Sequence, residues 1–376
     1  MSFIITLLAA VFVFSAVIAI HEFGHFTVAK LCGVQVNEFS IGMGPVLLKK
    51  IYKGTQYSLR ALPVGGFVAL EGEESPESQQ AEEHAAQRVP EEEPPAEEEN
   101  PVPPEQRIGK PLNEAAVWQR ALIMAAGAFM NFLLGFVVMV ILIAAQNEPI
   151  TSRVIYAIDD GALCGQTGLE AGDKVLAVNG RRCFVANDML YELMRTEDYS
   201  ASFTVLRNGE KVELPRVQFD TWQDDSGETH MSLGFTVYGI KKTPANVVKE
   251  AWNSVLYYGR IIFTSLMDLL RGRESINDLS GPVGIVTAIG QAASYGWEDL
   301  LQLLVLITVN LGIFNLLPFP ALDGGKVVFL LIEGVTGHAV PEKIQSGLTL
   351  AAFALLFGLM LFATYNDIVR LITGAI

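Results

Sequence analysis

Residues 4–20, IITLLAAVFVFSAVIAI, carry no charge and no proline, and they run without a break into HEFGH at 21–25. Such a run leaves few folds open. In hydrocarbon every backbone N–H and C=O must find a partner within the segment, so a lone lipid-facing run has to be a helix. At about 1.5 Å per residue those residues span roughly 26 Å, slightly short of a bilayer core. The helix completes the crossing by continuing through HEFGHFTVAKLC, which places both histidines at membrane depth. Further apolar stretches at 121–145, 300–317 and 348–365 bring the expected transmembrane helices to about four. A composition of 51% apolar and 18% charged residues fits a membrane protein better than a soluble one. The first run lacks a basic leader and a small-residue cleavage site, so it is expected to be retained.

Net charge is −15, but residues 71–107 hold 13 Glu against Arg88 and Arg107, which leaves only −4 elsewhere. No basic surface for nucleic acid is expected. Seven of the 17 prolines fall in 73–106, among Glu, Gln and Ala. That stretch has too few apolar groups to offset chain entropy and reads as a disordered, solvated loop. Lys30, Lys49, Lys50, Lys53 and Arg60 follow the first span, with Glu38 the one acid before Glu71. Lys/Arg excess marks the cytoplasmic side. The first span then runs outside to inside, residues 147–297 lie outside, and both termini end outside.

Between the spans, QYSLRALPVGGFVAL at 56–70 carries Pro63 and Gly65-Gly66 between β-leaning flanks, the pattern of a hairpin or bent strand. The outer segment offers strands at 152–158, 200–217 (turned at Asn208-Gly209) and 231–239, with a helix at 186–196. These amount to a β-rich domain of about 85 residues by strand and turn count. A semi-amphipathic helix follows from Pro244 to Arg271, with Trp252, Tyr257 and Tyr258 suited to an interface. Of the three cysteines, Cys164 and Cys183 fall in the outer segment and could pair. Free thiols are the plainer reading.

HEFGH has the form H-E-x-x-H. On a helix His21 and His25 share one face and can reach one metal, while Glu22 projects beside them as a general base. The plainer alternative is polar contact between helices, but intramembrane ionisable residues are expensive and usually functional. A third ligand does not follow in the metzincin manner, because Val28 and Leu31 stand where Gly and His would be needed. Asp323, in NLLPFPALDGG at 315–325, lies just past the inner end of the third span, at the depth of His21 and His25 by the topology above. It could instead pair with Lys326 or cap a short helix after Gly324-Gly325. Pro318 and Pro320 break the helix there and give an acid room to turn inward. Asn310 and Asn315 either satisfy freed backbone groups or hold a substrate's backbone; spacing leaves both open.

With these motifs the chain resembles the site-2 protease family of intramembrane zinc metalloproteases, in particular bacterial members that carry PDZ domains. The resemblance runs through HEFGH, Gly42-Met43-Gly44-Pro45, PVGGFV at 63–68, GLEAGDKVLAVNG at 168–180, GPVGI at 281–285 and NLGIFNLLPFPALDGG at 310–325. It implies one catalytic zinc ion on His21, His25 and Asp323, with Glu22 as the catalytic glutamate. It implies substrate handling by Asn310, Asn315 and Pro318, and by a membrane-reentrant β element that holds Gly65, Gly66 and Phe67. Ser232-Leu233-Gly234-Phe235 resembles a PDZ carboxylate loop, whose N–H groups receive a peptide C-terminus. The plainer alternative is a strand with Gly234 at a bulge. Enterobacterial relatives have two tandem PDZ domains where this chain has room for one, and the acidic insert has no counterpart.

The expected fold is therefore membrane α-helical with a membrane-associated β element, plus one extracytoplasmic, β-rich, PDZ-like domain. Its segments are a first transmembrane helix with HExxH (1–32), the reentrant region (33–72), the acidic loop (73–110) and a second transmembrane helix (111–147). The PDZ-like domain (148–240), an interfacial helix with the GPVGI linker (241–297), a third transmembrane helix with the LDG motif (298–335) and a fourth (336–376) complete it. The expected activity is hydrolysis of peptide bonds in or near the transmembrane segments of single-span proteins in a bacterial cell membrane, such as anti-sigma factors or signal-peptide remnants. The active site is expected near the cytoplasmic face. The rival readings are a non-proteolytic PDZ scaffold and a zinc transporter.

Overall fold

The computed structural model describes residues 3–73, 101–196, 198–224, 227–273 and 275–373. The chain divides into two compact units, one of residues 1–135 with 262–376, the other of residues 136–261.

Four helices among the described residues are long and apolar enough to cross a membrane. They are α1 (Phe3–Leu31), α2 (Val117–Ala145), α7 (Trp297–Leu316) and α9 (Glu342–Thr373). Each starts before the apolar stretch read from sequence, and α1 and α9 also run past its end; α9 exceeds its 348–365 core at both ends.

Between α1 and α2 lie β1 (Val36–Tyr52) and β2 (Thr55–Leu70). Residues 38–41 pair with 66–69 on one side and with 56–59 on the other, so the two long strands curl into a compact sheet. β1 bends at Gly42 and Gly44, both with positive φ, and β2 at Gly65. The Cβ that a side chain would add at Gly42 lies 2.5 Å from the Leu62 carbonyl oxygen, so the bend requires glycine. The sheet lies against the transmembrane helix: Ser15 Oγ donates to the Pro63 carbonyl, and Phe23 and Phe26 pack on Phe39.

Of the acidic stretch expected to be a disordered loop over 73–110, residues 74–100 lie outside the described residues. Residues 101–112 pack at the base of the sheet. There Lys110 exchanges backbone hydrogen bonds with Gly33 and Gln35, and Arg107 pairs with Glu71 at 2.8 Å.

The GPVGI motif opens α6 (Pro282–Tyr295), which packs against α1, α7 and α9. Buried Asp367 of α9 accepts the Gly284 N–H at 2.7 Å, a carboxylate at a helix N-terminus. A Cβ at Gly281 or Gly284 would lie 2.8 Å from that carboxylate, so both glycines let it approach. After α7 the chain turns through Pro318 and Pro320 into α8 (Asp323–Thr336).

In the other unit a sheet in the order β10-β3-β4-β6-β7 is built from β3 (Ile150–Ile158), β4 (Lys174–Val178), β6 (Ser200–Arg207), β7 (Glu210–Gln218) and β10 (Phe235–Ile240). The short β5 (Arg181–Arg182) pairs with β4. In β6 alternate residues Ala201, Phe203 and Val205 are buried, the period of a strand with one face on the core. They meet Leu169, Val175, Met189 and Phe219, with help from helices α3 (Leu163–Gln166) and α4 (Ala186–Met194). Asn208 and Gly209 turn the expected hairpin with positive φ at both positions. The single strand expected at 231–239 is two strands. β9 (Thr229–Ser232) pairs with β8 (Asp220–Gln223), β10 pairs with β3, and the left-handed Gly234 (φ 62°) redirects the chain between them. Cys164 and Cys183 are free and buried. Helix α5 (Pro244–Leu270) packs Val247 and Ala251 on Ile143, and its Arg260 pairs with buried Asp188.

Candidate metal centre

His21 and His25 sit one turn apart on α1 and are both 8% exposed. His21 Nε2 lies 3.2 Å from His25 Nε2, and the two lie 3.2 and 3.3 Å from Asp323 Oδ2. Metal–ligand bonds of about 2.0–2.1 Å in a tetrahedral site separate ligand atoms by roughly 3.3 Å, so this triangle fits one zinc ion. Asp323 Oδ2 is buried without a hydrogen-bond partner, and the donors are those zinc accepts. A three-residue set also leaves a fourth position open, as a catalytic zinc requires.

Local sequence explains how each group arrives. α1 and α2 cross where Gly24 faces Ala126: a Cβ at Gly24 would stand 2.4 Å from the Ala126 carbonyl oxygen. At the next residue of α2, a Cβ at Gly127 would fall 2.4 Å from His25 Nε2 and 2.5 Å from the His21 ring. The histidines thus occupy space that only glycine concedes. His25 Nδ1 lies 2.7 Å from the Ile123 carbonyl oxygen. A carbonyl only accepts, so Nδ1 carries the proton and Nε2 presents its lone pair to the centre.

Asp323 is the first residue of α8, a favourable place for a carboxylate. Gly324 and Gly325 let the helix start fold back on the proline bend: their Cβ atoms would meet the Leu317 and Phe319 carbonyl oxygens at 2.2 and 2.3 Å. Lys326 pairs instead with Glu73 at 2.7 Å. Glu22 is partly buried beside β2, its Cγ 3.8 Å from where a Cβ would stand on Gly66.

The other residues singled out from sequence divide. Buried Asn315 reaches the centre, its Nδ2 3.5 Å from His21 Nδ1. Asn310 and Pro318 are exposed. Gly65 is buried, Gly66 and Phe67 are partly buried, and Arg60 stacks over Phe67 at 4.8 Å. Leu233, Gly234 and Phe235 belong to the 136–261 unit. There Leu233 and Phe235 pack on the core, and the Gly234 carbonyl accepts from Asp159 N at 2.9 Å. Sequence reasoning passed over Gly127 and Asn131 of α2; an amide in the middle of an apolar span was the available signal. A second group of possible ligands, Asp224, Glu228 and His230, lies on the β8–β9 hairpin; its Glu228 is exposed.

The His–His–Asp triangle, carried on helices of this apolarity, is a set of donors that could hold a metal ion at membrane depth. The model of Peptidase family M50 matches residues 9–359, and the chain belongs to that family, as a multi-pass zinc metallopeptidase. It is similar to a Clostridium perfringens protein designated a candidate zinc metalloprotease, 32% identical over 361 residues that cover 96% of this chain and 97% of the relative. The zinc metalloprotease RasP of Geobacillus kaustophilus is 31% identical over 418 residues, covering 96% and 97%. The regulator of sigma-W protease RasP of Bacillus subtilis is 28% identical over 421 residues, covering 98% and 99%.

Proposed function

We propose that the chain is an intramembrane endopeptidase whose zinc is held by His21, His25 and Asp323, and that it cuts single-span membrane proteins within or beside their transmembrane segment. The observation that carries this is the triangle of donor atoms, 3.2–3.3 Å on each side, two of them within a helix long enough to span the bilayer. Zinc, when bound, polarises the scissile carbonyl and lowers the pKa of water. Glu22 takes a proton from the attacking water and delivers it to the departing amine.

A helical substrate hides its carbonyls in i→i−4 bonds and must unwind first. The 66–70 stretch of β2 is paired with β1 on one side and runs beside Glu22, so its other edge can receive the opened segment by strand addition. Gly65, Gly66 and Phe67 shape that edge, and Asn315 holds the substrate's freed amides where it borders His21. Asn310 and Pro318, exposed on α7 and just after it, meet the substrate further from the metal.

The β-rich unit is a PDZ-like domain, with Leu233, Gly234 and Phe235 as its terminus-binding loop. The left-handed Gly234 between β9 and β10 supports that reading. The Lys30, Lys49, Lys50 and Lys53 charges support a centre near the cytoplasmic face, with the PDZ-like domain and both termini outside. The name of the Bacillus subtilis relative, regulator of sigma-W protease, makes a membrane-anchored anti-sigma protein the first substrate to test. Glu22→Gln in the membrane-embedded protein should keep its zinc and lose cleavage of a single-span substrate; cleavage at the wild-type rate would end the proposal.

A further inference from the structure

Two imidazoles that aim Nε2 at one centre must carry their protons on Nδ1, and each Nδ1–H then needs an acceptor. For His25 that acceptor is the Ile123 carbonyl oxygen. His21 Nδ1 faces two amide nitrogens instead, Asn131 Nδ2 at 3.3 Å and Asn315 Nδ2 at 3.5 Å. Donor facing donor is repulsive. Yet Asn131 is 0% exposed, and its Oδ1 is buried with no hydrogen-bond partner. A half-turn of the amide brings the orphaned acceptor to the N–H that lacks one. The exchange replaces a donor–donor contact with a hydrogen bond to the His21 ring.

We propose that Asn131 is a positioning residue for the zinc site: its Oδ1 accepts the His21 Nδ1–H, which fixes the tautomer and swing of that ring as Ile123 does for His25. The backbone around it is anchored, because Thr308 Oγ1 of α7 donates to the Asn131 carbonyl oxygen at 3.2 Å. Gly127, one turn earlier on the same face of α2, removes the bulk that would push the rings away. The second span thereby contributes no ligand but sets the direction of both histidine ligands.

This inference rests on reading His21, His25 and Asp323 as ligands, and its test separates the two. Full-length protein in detergent is stripped with chelator, and its zinc affinity is measured by competition with a chromophoric chelator. Asn131→Leu keeps the size and removes the acceptor; it should weaken zinc binding by about 10–100-fold. Asn131→Asp keeps an acceptor and should bind within about threefold of wild type or more tightly. A packing role predicts the opposite order, with leucine tolerated among apolar neighbours and a buried charge penalised. Should Asn131→Leu not fold, Asn131→Ala against Asn131→Asp makes the same comparison. Wild-type affinity in the acceptor-free variant, equal losses in both variants, or the loss falling on Asn315→Leu instead would overturn the inference. A wild-type protein that binds no zinc would overturn the ligand assignment itself.

Discussion

Gly127→Ala tests how tightly the second span is seated on the two histidines. The added Cβ would stand 2.4 Å from His25 Nε2 and 2.5 Å from the nearest atom of His21. Ordinary contacts between such atoms are about 3.5–4.0 Å, so one methyl group overlaps both rings by roughly 1 Å. Neither relief is cheap. If the rings swing, the Nε2 atoms leave a triangle whose tolerance for metal is about ±0.2 Å. If the helices part, they must do so beside Gly24, already so close that a Cβ there would be 2.4 Å from the Ala126 carbonyl oxygen. A misplacement of about 1 Å costs on the order of 100-fold in rate, and a loss of that order in zinc affinity is expected alongside. Gly135→Ala is the control on the same helix: its nearest neighbour is the end of the Val309 side chain, at 3.0 Å. The assay is zinc content by mass spectrometry after dialysis against buffered zinc, followed by cleavage of a single-span substrate and thermal unfolding. Gly127→Ala protein that holds one zinc and cleaves at the wild-type rate would refute the close approach of α2 to the histidines.

Three further outcomes follow from the packing. Burial pushes the Cys183 thiol up to about 12 and raises that of Cys164, so at pH 8 neither should react with maleimide in the folded protein, and both should react once it is denatured without reductant. Folding holds these thiols protonated, so alkaline pH favours unfolding through them; a thiol that stays silent after denaturation would reveal a disulfide instead. Asp367→Ala removes the carboxylate at the start of α6 and should cost about 1–2 kcal/mol in detergent unfolding, with Asp367→Asn costing less. Gly66→Pro places atoms where the Ser40 carbonyl oxygen would be only 2.7 Å from a Cβ, and should lower cleavage while zinc content stays normal.

The candidate site was legible in part because the chemistry proposed for it has a local signature. His21, Glu22 and His25 are spaced by one helix turn, and Asp323 could be matched to them by counting spans and loop charges. What could not be read was which helix would lie across those histidines. Gly127 and Asn131 are i and i+4 in an apolar helix, a spacing that serves helix packing as readily as a metal site. Only the crossing at Gly24 shows which neighbour they face. The same limit applied to the strands. Alternation located β6 and the Asn208-Gly209 turn, but 231–239 has a strand-like composition throughout, and its division rests on one backbone dihedral at Gly234. Likewise β1 bends at Gly42 and Gly44, where short-range pattern marks a turn without saying which strands will then lie side by side.

A β element against a membrane helix poses a physical problem whose answer bears on catalysis. Ser15 meets the Pro63 carbonyl, and Glu22 lies by Gly66. The helix rises roughly 10 Å between its two contact points, about what three strand residues cover, so β2 runs alongside the span at the depth of the site. An open strand edge facing lipid leaves N–H and C=O groups unpaired, at several kcal/mol each. A substrate helix unwound for cleavage exposes the same groups at the same depth. Each offers what the other lacks, and pairing the two removes both costs. On the proposed strand addition, the glycines that bend this sheet shape the edge that an unwound substrate would meet.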